Sequence, residues 1–239
     1  MAVQYFPVRA AQPDQAIPVT GLNDDNTKSR QYTAGWNFSG NADYIVKQYS
    51  HLRVKKGLKL IGYRFIDEMG GNGVVWAVPE DSDEAPLEQC SCTYMGNFPP
   101  GVDIPSPKPG NAIDPMEAIE GDQSPLSYLQ AAMAFHGFMD YGAYWHGAEW
   151  GYHTILPSLV AVNEQGANEI VWDMIEDEPE AWEPCFYYTE EGLPTVVFYT
   201  WCTIHPQTLN RFTHTFAKDN YTDKAVRTVI ASGPGGIIF

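Results

Sequence analysis

Leu58-Lys59-Leu60-Ile61-Gly62-Tyr63-Arg64-Phe65-Ile66, then Gly70-Gly71-Asn72-Gly73, then Val74-Val75-Trp76-Ala77-Val78, is the stretch on which the fold turns. β-branched and aromatic residues fill both arms, and glycine with asparagine lies between them. That pattern reads as a hairpin with Gly70–Gly73 as its turn. The glycines do not read as a phosphate-binding loop, because no Gly-Lys-Ser/Thr follows and no helix opens there.

Two further hairpins are expected downstream. Leu159–Val162 and Glu169–Trp172 flank Glu164-Gln165-Gly166-Ala167. Cys185–Tyr188 and Val196–Trp201 flank Glu190-Glu191-Gly192-Leu193-Pro194. Upstream, Asn41-Ala42-Asp43 can cap a helix running to about Lys56, with Gly57 as its stop. Ser124-Pro125 is a strong helix start, and Leu126, Leu129, Met133, His136 and Asp140 follow at spacings of three and four. Pro206 can open a helix to about Lys218. Asp223–Ser232 fits either a helix or a strand. The sum is an α+β fold: a single domain over 41–239, with a largely antiparallel sheet of three hairpins and three to four packing helices. An irregular arm over 1–40 precedes it, and a proline-rich loop covers about 79–123.

Charge is distributed unevenly. The chain of 239 residues carries 30 acidic and 14 basic residues, a net charge of −16. Between Lys108 and Arg211 there is no lysine or arginine, while that stretch holds sixteen carboxylates. Such a surface repels phosphate backbones, so nucleic acid is not an expected partner. The one basic run, Lys47, Arg53, Lys55, Lys56 and Lys59, reads as a solvated face. No apolar run approaches the ~20 residues of a membrane-spanning helix, and the N-terminus lacks a signal-peptide pattern. The four cysteines, Cys90, Cys92, Cys185 and Cys202, lack C-x-x-C spacing. They read as reduced thiols, and the expected compartment is the cytoplasm.

The densest chemistry lies in Met139–His153. If this segment is helical, His146, Glu149 and His153 fall on one face and could hold zinc, iron or manganese with open positions for water or substrate. If it is extended, that face dissolves. The spacing matches no established metalloprotease signature. His136 and Asp140 form a second pair, four apart, in which a carboxylate could orient an imidazole. The candidate catalytic residues are therefore His146, Glu149, His136 and Asp140. The candidate ligand-binding residues are Tyr144, Trp145, Trp150 and Tyr152, and the candidate metal set is His146, Glu149 and His153.

Two functional expectations follow. One is a domain with an aromatic-lined pocket for a small neutral or cationic ligand, flat or sugar-like, with metal-assisted or His/Glu acid–base chemistry. The other is a non-catalytic interaction or oligomerisation module. Its aromatics would bury a subunit interface, and its acidic run Glu176-Asp177-Glu178-Pro179-Glu180 would dock a basic protein.

Overall fold

The structure is a computed structural model, and it describes residues 2–14, 35–68, 70–83, 85–94, 105–145, 147–158, 161 and 170–238. In chain order the regular elements begin with β1 (Gln4–Tyr5), β2 (Gly35–Asn41), α1 (Tyr44–Lys47), β3 (Leu52–Val54), β4 (Leu58–Asp67) and β5 (Gly70–Pro79). Next come β6 (Ser91–Tyr94), β7 (Pro105–Lys108), β8 (Ile119–Gly121), α2 (Pro125–Met139), β9 (Tyr144–Trp145) and β10 (His153–Ile155). The last are β11 (Asp173–Met174), β12 (Cys185–Tyr188), β13 (Pro194–Cys202), β14 (Gln207–Phe216) and β15 (Asp223–Gly233). The α+β expectation is overturned. Strands take 44% of the residues and helix 18%, and the described residues hold two α-helices rather than three or four.

Contacts divide the chain into two compact units. One comprises Met1–Pro13, Gly121–Met133 and Gly151–Phe239; the other comprises Asp14–Glu120 and Ala134–Trp150. Helix α2 gives its residues up to Met133 to the first and the remainder to the second.

The first unit is built on an antiparallel sheet in the order β1-β12-β13-β14-β15-β11, with β10 also paired to β13. Strand β14 occupies the segment expected to be a helix after Pro206. Leu209, Phe212 and Phe216 are spaced three and four apart, which imitates a helical stripe. The side chains that β14 buries are Leu209, Asn210, Phe212, His214 and Phe216. Along one face the period is therefore two, and two of its members are polar. Burying Asn210 and His214 demands partners. Asn210 Nδ2 donates to the Thr208 carbonyl at 3.2 Å, and His214 Nδ1 meets Asp223 Oδ2 at 2.6 Å. Phe198 stacks on Phe212 across the β13–β14 pair at 5.3 Å. Tyr128 of α2 packs on Phe186, Phe216 and Tyr221. Each buried ring of this kind contributes roughly 1.5–3 kcal/mol.

Asp223–Gly233 is a strand throughout its length. The β12–β13 register pairs Cys185 with Val197, so Cys185 and Cys202 do not face each other. All four cysteines are free thiols. Of the hairpin expected over 159–172, Leu159, Val160, Val162 and residues 163–169 lie outside the described residues. Ile170–Trp172 precede a short strand rather than forming one.

The second unit is organised by a sheet in the order β2-β4-β5-β9. Its core packs Ile61, Tyr63, Val74, Trp76, Val78 and Ala112. The hairpin is present, but Gly70–Gly73 are not its turn. Pairing runs from Leu58↔Pro79 to Asp67↔Gly70, which places the glycines inside β5. A Cβ on Gly73 would stand 2.5 Å from the Tyr141 carbonyl oxygen, and one on Gly62 would stand 2.2 Å from the Tyr141 ring. These glycines make room for the chain that leaves α2. The helix expected over 41–56 shrinks to Tyr44–Lys47. Asp43 Oδ1 accepts the Leu60 amide at 2.8 Å, and the chain then leaves helical geometry to pair β3 with β8. No helix among the described residues is long and apolar enough to cross a membrane.

Candidate functional site

Beyond Met139 the described residues up to Trp150 form a tied loop, not a continuation of the helix, so the helical arrangement that would align Glu149 with its neighbours is absent among them. Helix α2 ends at Met139. Residues 144–145 then pair with β5, Trp145 opposite Gly70 and Tyr144 opposite Gly71. Trp150–Tyr152 make a single 3-10 turn. Asp140 closes the loop. Its Oδ1 accepts the backbone amides of Glu149 at 3.1 Å and Trp150 at 3.2 Å. That places Trp150 face to face with His136, the ring centroids 3.8 Å apart and the planes 10° from parallel. His136 is buried on the last turns of α2. Gly147 is forced: a Cβ there would fall 1.8 Å from the Gly71 carbonyl oxygen.

Trp145 stands apart from this packing. It is 64% exposed, and its φ is +50°. A non-glycine residue in the left-handed region carries a backbone cost of about 1–3 kcal/mol. The Ala148 amide donates to the Trp145 carbonyl at 3.0 Å, so a turn holds the residue in that conformation.

The remaining expected site residues are distributed as follows. Glu149 is exposed, with its amide bound by Asp140. His146 and the side chain of Tyr144 lie outside the described residues. Tyr152 and His153 belong to the first unit. The Tyr152 carbonyl accepts the Thr203 amide at 3.1 Å. His153 Nδ1 meets Thr200 Oγ1 at 2.8 Å, and its ring edges onto Phe212 at 5.4 Å. Burial lowers the His153 pKa to about 3, assisted by the positive charge of Arg227. Among the described residues no group of three His, Cys, Asp or Glu side chains could hold a metal ion.

Three features escaped the sequence reading. Thr200 sits 47 residues from the histidine it partners, and only the sheet register brings the two together. The His214–Asp223 pair is wholly enclosed, with side-chain exposures of 0% and 1%. Its nine-residue spacing becomes a contact once β14 and β15 form a hairpin. Arg64 is buried in mid-strand, where strand composition alone gave no reason to single it out. Searches against family models, curated proteins and solved structures return no match to this chain.

Proposed function

We propose that the protein binds a small flat or sugar-like ligand, neutral or cationic, on the loop between Asp140 and Trp150, with the Trp145 indole as the stacking surface. One observation carries the reading. Trp145 is both strained in its backbone and exposed in its side chain. Folding gains neither local propensity nor burial from a tryptophan placed there, so stability does not account for it. An exposed indole on a rigid support is a platform for rings and for cations. The support is the Asp140 clasp, the His136–Trp150 stack and the pairing with Gly70. The exposed carboxylate of Glu149 in this loop favours a cationic ligand over an anionic one. The reading is one of binding rather than acid–base catalysis. Asp140 Oδ1 is occupied by two backbone donors, and one face of His136 is covered by Trp150.

The test is an NMR titration of protein labelled with nitrogen-15 at the tryptophan indoles, with cellotriose and with choline as probes. The Trp145 resonance, assigned by its loss in Trp145→Ala, is expected to shift with at least one probe. In Trp145→Ala the affinity should fall at least about fivefold, as loss of a stacking contact worth ~1–3 kcal/mol requires. If neither probe moves the Trp145 resonance, the reading fails.

A further inference from the structure

Arg64 is a buried cation that forms no ion pair among the described residues. It lies in mid-β4, opposite Asn37 and Gly73, and is 7% exposed. The Tyr44 hydroxyl lies near its guanidinium, whose positive charge opposes the rise that burial gives the Tyr44 pKa, and its central carbon lies 5.3 Å from the centroid of the Tyr141 ring. Nε is closed off from solvent with no hydrogen-bond partner. The ion pairs of the described residues join Lys47 to Asp43, Arg53 to Glu120, Arg211 to Glu176 and His214 to Asp223; none involves Arg64.

An arginine keeps its charge at every accessible pH and presents five N–H donors. Sealing Nε from water without a partner leaves that donor's lost hydration unrepaid. The side chain is nonetheless held firmly. A Cβ on Gly142 would come within 2.7 Å of Arg64 Cγ, so the loop backbone rests on its aliphatic stem. Tyr141, beside the guanidinium, is itself fixed by a 2.6 Å hydrogen bond to Ser39 Oγ. Tyr44, near the guanidinium, is only partly buried. A pre-positioned, incompletely satisfied guanidinium is a receptor for a planar anion.

We propose that Arg64, flanked by the Tyr44 hydroxyl and the Tyr141 ring, binds the carboxylate of a small monocarboxylic acid. One guanidinium supplies one positive charge and a two-pronged donor edge, which match a single carboxylate better than a phosphate dianion. This site does not rest on the Trp145 reading, and the two fail separately.

Thermal unfolding tests it. Benzoate and acetate are compared with their neutral counterparts benzamide and acetamide, and with inorganic phosphate, all at one ionic strength. With a carboxylate at ten times its dissociation constant, the melting temperature should rise by about 3–6 °C. The amides should give no rise, and phosphate should give less than the carboxylate. Arg64→Met should lose the shift and, without ligand, melt no lower than wild type, because it removes a buried charge that forms no ion pair among the described residues. Tyr44→Phe keeps the charge and should bind the carboxylate several-fold more weakly, which covers the case in which Arg64→Met fails to fold. Trp145→Ala should retain the full shift. Equal shifts with carboxylates and amides, a larger shift with phosphate, a shift that survives in Arg64→Met, or undiminished affinity in Tyr44→Phe would each overturn the proposal.

Discussion

His153 shows how one residue's environment sets a measurable property. In the sequence it stands in a cluster of histidine, glutamate and aromatics, and it reads as a metal ligand. In the fold it is a member of β10, half-buried, partnered by Thr200 and edged onto Phe212. Its folded pKa, about 3, lies below the ~6.5 of an exposed histidine. The unfolded chain therefore binds a proton that the folded chain refuses at any pH between these values. The stability gained by keeping His153 neutral is fully present above about pH 6.5 and is lost as pH falls toward 3. The slope from this one group is at most ~1.4 kcal/mol per pH unit. Urea unfolding of wild type and His153→Gln between pH 7 and 4 should show a distinctly shallower decline in the variant, since glutamine can still bond Thr200 but cannot titrate. Parallel declines would show that the folded protein protonates His153 freely. The sequence could not reveal this, because burial and Thr200 are both properties of the sheet register.

At the scale of elements, glycine and alternation separate what was legible from what was not. The 58–78 hairpin was readable because β-branched and aromatic residues dominate both arms. Its turn was misplaced because Gly70–Gly73 look like turn residues. For Gly73 the real cause is remote: Tyr141 occupies the space a side chain would need, and no local pattern reports that. Helix α2 was readable because the Ser124 hydroxyl and Pro125 act locally, with Ser124 Oγ accepting the Ser127 amide at 3.2 Å. Strand β14 was misread because Asn210 and His214 break its apolar alternation while Leu209, Phe212 and Phe216 supply a helical spacing. Of the candidate site, the sequence suggested the His136 and Asp140 pair but set Trp150 apart from it, because the clasp and stack that unite the three depend on where the helix stops. The glycine argument has a direct check. Gly73→Ala puts a methyl against two backbone carbonyls, of Tyr141 at 2.5 Å and Tyr63 at 2.7 Å, and backbone cannot swing aside. It should cost roughly 2–4 kcal/mol in denaturant unfolding. Gly110→Ala meets nothing within 4 Å and should stay within about 0.5 kcal/mol of wild type. Similar costs for both would mean that Gly73 is a tolerant position and that β5 does not carry the loop as described.

Across the whole molecule, charge repulsion and ion pairing compete, and their sizes decide the response to salt. Thirty acidic residues face fourteen basic ones. The pairs formed among the described residues are few and mostly wet: Arg53–Glu120 has side-chain exposures of 73% and 38%, and Lys47–Asp43 of 64% and 16%. Exposed pairs of this kind are worth about 0–1 kcal/mol each. Arg211–Glu176 is better placed, with contacts of 2.6 and 3.4 Å, and it ties the acidic 176–183 segment to β14. Against these stands the repulsion among sixteen carboxylates in a stretch with no cation of its own. Added salt weakens both terms, since the screening length falls from about 10 Å at 0.1 M to about 3 Å at 1 M. Repulsion acts over longer distances than contact pairs do, so it is screened first. At pH 7, raising sodium chloride from 20 to 300 mM should therefore raise the melting temperature by a few degrees. Arg211→Ala should increase that rise, because the acidic segment then loses the cation that pairs with it among the described residues and depends more on dissolved counterions. A melting temperature that falls with salt in wild type would show that attractive pairs outweigh the net charge, and would place basic residues closer to the acidic stretch than the described ion pairs allow.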